Sequence, residues 1–140
     1  MALFVSEKNE IIAAVNADVP REQIPYIDEP DGRAYYEELL AMRDAYGDGL
    51  RYLKSSKNGI DIDFYVPEGG LAVQVAYSLS ESANPREVGN LVKLAKIDEN
   101  VRRFIIVTKE EEDTVEKDDV SIEIIPAWKF LLDLAARDDS

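Results

Sequence analysis

Asp63, Gln74 and Ala76 are the residues whose types and spacing best fit a chemical role. Asp63 lies on one strand-like stretch, and Gln74 and Ala76 stand two apart on one face of the next. The chain contains no histidine and no cysteine, which removes the usual neutral-pH proton shuttle and every thiolate or imidazole metal ligand. Chemistry is left to carboxylates, lysines, tyrosines or a hard, oxygen-bound cation such as Mg²⁺. Asp63 is a hard ligand. Gln74 adds only a neutral carbonyl oxygen, and Ala76 offers nothing to a water or a phosphate. Taken alone, the three residues read as the solvated face of a strand.

Three elements must position these residues. Residues 50–54 and 60–66 alternate as strands, joined by Asn58-Gly59, the favoured hairpin pair. Along 60–66 the alternation predicts Ile60, Ile62, Phe64 and Val66 on one face and Asp61, Asp63 and Tyr65 on the other. A second turn at 67–70 leads into a strand over 71–77, with Gln74 and Ala76 opposite Leu71, Val73, Val75 and Tyr77. A helix over 33–46 precedes this meander. Tyr35, Leu39, Met42 and Tyr46 form its buried stripe, and Asp31 serves as N-cap. Asn84-Pro85 opens a crossover helix with Val88, Leu91, Val92 and Ala95 inward. Residues 104–107 read as a strand buried on both faces, and 109–119 as a charged connection. Residues 120–125 read as a last strand. Pro126 then opens a helix through Trp128, Leu131, Leu132 and Ala135. Residues 1–32 form an extension, partly irregular, in which 10–15 reads as either helix or strand.

The expected fold is α/β: a mixed sheet with hairpin-linked antiparallel strands, a right-handed parallel crossover and covering helices, in an α-β-β-β-α-β core. The length, 140 residues, suits a single domain, and 46% apolar with 32% charged residues describes a globular chain. No apolar run approaches the roughly 18 residues of a membrane span. Residues 1–10 lack a basic stretch followed by an apolar one, so the cytoplasm is the default compartment. The net charge of −13 disfavours a nucleic-acid partner, since phosphate backbones are bound by Lys and Arg, although a local basic groove remains compatible with it.

Five segments, in order, resemble one family: 59–66, 71–80, Arg86-Glu87 opening a helix, 104–108, and 124–132 with its Ile-Pro-Ala-Trp-Lys-Phe run. They are similar to the domain of unknown function that follows the P-loop module in archaeal and bacterial AAA+ ATPases, a member of the PD-(D/E)xK restriction-endonuclease-like superfamily. The likeness covers roughly residues 33–135 and implies a nuclease-like domain over 33–140. In that superfamily an acid on one strand and acid-x-Lys on the next hold Mg²⁺, and the Lys helps activate the attacking water. Asp63 matches the first acid, Gln74 stands at the second, as is usual in this family, and Ala76 stands at the Lys. The family's Glu-Asn pair at the first helix is absent around Asp31-Gly32-Arg33, with Glu37 and Glu38 nearby. Lys93 or Lys96 on the crossover helix is a candidate replacement for the missing Lys, although both read first as exposed. Trp128 and Phe130 read as core packing, and 110–113 as a solvated loop.

The resemblance therefore implies a catalytically inactive accessory module of a prokaryotic AAA+ ATPase that serves binding or regulation, its partner being an ATPase module or itself. The alternatives are a weak Mg²⁺-dependent DNA or RNA endonuclease and a protein-interaction module. No G-x-x-x-x-G-K-[ST] motif occurs, so ATP binding does not come with the resemblance.

Overall fold

The computed structural model describes residues 5–55, 60–75 and 85–138. Among these residues four α-helices, α1 (Val5–Asn16), α2 (Pro30–Tyr46), α3 (Pro85–Ile97) and α4 (Ala127–Asp138), cover one sheet. Its strands are β1 (Arg51–Ser55), β2 (Ile60–Val66), β3 (Leu71–Val75), β4 (Arg103–Thr108), β5 (Asp113–Lys117) and β6 (Val120–Pro126). They lie in the order β1-β2-β3-β4-β6-β5. The meander β1-β2-β3 is antiparallel, β3-β4 and β4-β6 are parallel, and β5-β6 is antiparallel. The mixed α/β sheet and its crossover through α3 agree with the sequence reading.

Several local expectations are corrected. The ambiguous 10–15 segment belongs to helix α1, and its Ile11 and Val15 enter the same core as Tyr35, Leu39 and Met42 of α2. Helix α2 starts at Pro30, with Glu29 as N-cap, so Asp31 lies inside its first turn. Proline at the first helical position supplies the right φ and lacks an N–H that would go unbonded anyway. The charged 109–119 connection contains β5, whose exposed, charged strand occupies the sheet edge. Its polar residues had masked a strand whose job is to end the sheet. On α4 the buried pair is Phe130 and Leu134, while Trp128 is 61% and Leu132 63% exposed. The inward stripe of α4 is thus rotated from the expected one.

Two cores lie on opposite faces of the sheet. One joins α1, α2 and α4 to Phe64, Val66, Leu71, Val73, Val75, Ile105 and Val107. The other places Leu91, Val92 and Leu94 of α3 against Ile60, Ile62, Ala72, Phe104 and Ile106. β4 supplies both, as expected of a strand buried on both faces.

β2 does not alternate cleanly. Ile60 and Ile62 face α3, whereas Phe64 and Val66 face α1 and α2. Tyr65 stands opposite Arg51 and Ile62 opposite Leu53, so β2 takes three steps where β1 takes two. The extra residue is a β-bulge, which shifts the phase of every side chain beyond it. Asp63 and Phe64, consecutive in sequence, therefore lie on the same face.

α1 is fastened to the segment before α2 by Tyr26, whose hydroxyl donates to Glu10 Oε2 at 2.5 Å. That bond, more than any other influence, holds the Tyr26 phenol up at about 12, and Tyr65, raised by burial and its bond to Asp98, also reaches about 12. A raised folded-state pKa means each contribution is complete below the ordinary tyrosine value of about 10. It is lost as pH rises through 12. Absorbance at 295 nm is expected to show both phenolates forming near pH 12, and Tyr26→Phe to remove one of them; superposable curves for the two proteins would contradict this.

Gly32, inside α2, touches the same segment. A Cβ there would collide with the Tyr26 carbonyl oxygen and lie 2.6 Å from Tyr26 Cβ. Gly32→Ala is expected to cost about 1–3 kcal/mol by overpacking, read by urea denaturation.

Candidate functional site

The β2-β3 ladder runs through Val66↔Leu71, Tyr65↔Ala72 and Phe64↔Val73. Beyond Phe64 the strands part, and side chains take over the hydrogen bonding. Gln74 Oε1 accepts from the Asp63 N–H at 2.8 Å, and Gln74 Nε2 donates to the Asp61 carbonyl at 2.7 Å. The Gln74 amide thus offers β2 one acceptor and one donor, as a neighbouring peptide group would. Asp63 Oδ2 in turn accepts from the Val75 N–H at 2.8 Å. Backbone groups buried in this fork need such partners, because an unbonded one costs about as much as a lost hydrogen bond.

Asp63 also has a charged partner. Lys8, reaching in from α1, donates to Asp63 Oδ2 at 3.0 Å and to the Val75 carbonyl at 3.3 Å. Its ammonium lies 5.7 Å from the centre of the Tyr35 ring. Lys8 and Asp63 are each only 8% exposed, and Glu38 and Tyr35 are fully buried. An ion pair this enclosed is costly to desolvate and persists only because further hydrogen bonds complete it.

Tyr35 forms the floor. Its ring stacks on Phe64, 5.5 Å between centroids, and Phe64 in turn meets the Tyr52 ring at 6.4 Å. The Tyr35 hydroxyl finds no hydrogen-bond partner among the described residues. Burial, and then the negative charge of Asp63, with smaller contributions from Tyr52, Glu38 and Asp61, hold its phenol well above the ordinary value.

The structure brings Asp63 and Gln74 together, but through different roles. The Asp63 carboxylate faces α1, whereas Gln74 shares the parity of Ala72 on the α3 side and spends its amide on the backbone of β2. Ala76 lies outside the described residues. As arranged, the pair does not suit Mg²⁺: Asp63 Oδ2 is taken by Lys8 and Val75, and the Gln74 carbonyl is taken by Asp63. Among the described residues, no three His, Cys, Asp or Glu side chains are grouped to hold a metal ion.

Of the neighbouring acids, Glu38 is fully buried and its charge acts on the Tyr35 phenol, and Glu37 pairs with Arg21 at the surface, 3.8 Å away. The candidate replacement lysines do not reach it. Lys93 is exposed, and Lys96 pairs with Asp118 at 3.8 Å. Both project from α3, which packs on the other face.

Sequence reasoning missed Lys8, whose ammonium pairs with Asp63 at the site. A signal was present: Lys8, Ile11 and Val15 fall at helical spacing on one face, so a lysine occupies an apolar stripe. Glu38 does the same between Tyr35 and Met42. A charge on a buried stripe calls for a partner, and here the Lys8 ammonium lies over the Tyr35 ring while the Glu38 charge acts on the Tyr35 phenol. Compared with known proteins, the chain matches no family model, no curated protein and no solved structure.

Proposed function

We propose that this domain keeps a nuclease-like arrangement of strands for binding or regulation rather than catalysis, as an accessory module of a prokaryotic AAA+ ATPase. The observation that carries the non-catalytic reading is the Lys8–Asp63 pair. An ammonium stands against the one surviving acid of the motif, where a divalent cation would need to be, and the Val75 N–H donates to the same carboxylate oxygen. Gln74 serves as a strand-fork bridge, which accounts for an amide in place of a carboxylate. The link to an ATPase rests on the segment-by-segment resemblance. The exposed Trp128 and Leu132, one turn apart on α4, favour a role in protein interaction.

The test is a Mg²⁺ and Mn²⁺ titration of the labelled domain, followed by amide NMR, with DNA and RNA cleavage assays beside it. No localised shifts at Asp63 and Gln74 and no cleavage are expected. Metal-dependent cleavage that disappears in Asp63→Ala would overturn the non-catalytic reading. Failure to bind an ATPase module in light scattering would remove the ATPase part alone.

A further inference from the structure

Among the described residues the sheet ends at β5, and nothing pairs with its outer side. Which backbone groups face outward follows from the turn into β6. Asp118 and Asp119 both have positive φ, 52° and 68°, the form of a two-residue hairpin turn. The flanking pair, Lys117 and Val120, then exchanges both hydrogen bonds, and bonded and non-bonded pairs alternate along the ladder. Val115 and Asp113 therefore also turn their N–H and C=O to β6, opposite Ile122 and Ile124. Thr114 and Glu116 turn theirs to the free edge. The Thr114 N–H, with no strand to meet there, takes Oδ1 of Asp113 at 2.8 Å.

Side chains divide by the same alternation. Asp113, Val115 and Lys117 share one face, where Val115 packs on the core beneath α3. Thr114 and Glu116 share the other, and all but Val115 are exposed. Read antiparallel about Val115, the run Asp-Thr-Val-Glu-Lys is complementary to itself. An open strand edge is a template for a further strand, and here charge selects which one.

We propose that β5 pairs with β5 of a second copy, antiparallel and centred on Val115, so that two sheets join into one. Thr114 then meets Glu116 of the second copy, and the outward N–H and C=O groups of both residues find partners. Val115 meets its own counterpart and joins the apolar faces of the two copies. Asp113 meets Lys117 of the second copy, and two-fold symmetry repeats the contact. Opposite charges facing each other across antiparallel strands stabilise the pair, and like charges oppose it. Sliding one copy by two residues sets Glu116 against Glu112 or against its own counterpart, so the charges that reject other registers admit this one. Just outside the five residues Glu112 faces Asp118 of the second copy, but each already has a lysine of its own chain, Lys129 and Lys96. Two five-residue strands cover less than the roughly 1,200 Å² of a stable interface, so the dimer is weak and depends on concentration. This inference requires neither a nuclease ancestry nor the ATPase, and it uses none of the residues around Asp63.

The test is disulfide trapping in a chain that has no cysteine. Val115→Cys puts two Cα atoms about 4.5 Å apart, the spacing of a non-hydrogen-bonded pair, inside the disulfide range of about 4.4–6.8 Å. Mild oxidation is expected to give a covalent dimer. Thr114→Cys and Glu116→Cys each lie about 7–8 Å from their own counterparts. Each alone is expected to stay monomeric, and the two mixed to form the heterodimer. In light scattering the unmodified chain is expected to dimerise as its concentration rises into the millimolar range. Asp113→Lys is expected to weaken that association at least about tenfold, and Asp113→Lys/Lys117→Asp to restore it. A folded Val115→Cys variant that does not cross-link overturns the proposal, and so does equal cross-linking at all three positions. A monomer at every concentration also overturns it, as does a dimer that Asp113→Lys leaves unchanged, which belongs to another face. Circular dichroism of each variant separates lost pairing from lost folding.

Discussion

Lys8→Met is expected to destabilise the domain by about 3–5 kcal/mol, the cost of leaving one member of a buried ion pair without its counter-charge. That is a large share of a typical stability of about 5–15 kcal/mol. Asp63 is 8% exposed and sits in a fork whose other groups are already bonded. Methionine keeps the length and apolar character of the lysine stem, so packing against Tyr35 changes little and the loss reports the charge. Adding Asp63→Asn should recover much of the stability, because asparagine can still accept from the Val75 N–H but carries no charge. A double-mutant cycle in urea would then give a coupling energy near the upper end of about 0.5–3 kcal/mol. A Lys8→Met variant within about 0.5 kcal/mol of the parent, the range of ordinary surface changes, would mean that Lys8 and Asp63 are not paired in solution.

Gln74→Glu should be the second most damaging change, although it moves the sequence toward the nuclease motif. Gln74 is 1% exposed. Its Nε2 donates to the Asp61 carbonyl, and a carboxylate would set oxygen against oxygen there. It would also bury a second negative charge beside Asp63, with one lysine to serve both. The expected loss is at least about 3 kcal/mol at neutral pH. Protonating the new carboxyl restores a donor, so the loss should shrink as pH falls. Urea denaturation at neutral and mildly acidic pH checks both the size and the direction. A variant as stable as the parent would show that the amide is not bridging the strands, and the reading of Gln74 as a structural replacement would fall with it.

These two outcomes bear on why the motif has the residues it has. In this fork a glutamine serves the backbone better than a glutamate, because β2 presents one N–H and one C=O for a side chain to meet. A lysine from α1 serves Asp63 by bonding the Val75 carbonyl as well as the acid. Once Lys8 supplies the positive charge, the fold has no structural need of a carboxylate at position 74.

The mixed sheet was legible because it depends on local patterns. Turn residues at 67–70, alternation in β1 and β3, the apolar run of β4 and the stripe of α3 each follow from short-range geometry. β5 was not legible, since an edge strand buries little and its Asp-Thr-Val-Glu-Lys composition serves solvent. The true inward face of α4 escaped as well: Trp128 and Leu132 are as apolar as Phe130 and Leu134, and only the position of α2 decides which pair is covered.

By itself the sequence determined the meander of β1, β2 and β3, the crossover through α3 and the placement of Asp63 and Gln74 on adjacent strands. These follow from the periods of helix and strand, which side chains one to four residues apart set among themselves. Tertiary structure alone decided what those two residues do. A bulge in β2, visible only against the register of β1, turned Phe64 to the same face as Asp63 and built the aromatic floor. Lys8 arrived from a helix 55 residues away in sequence, and no local pattern specifies a partner at that distance. Pairing of buried charges is dictated by the cost of desolvation, and that cost exists only once the chain has closed around them.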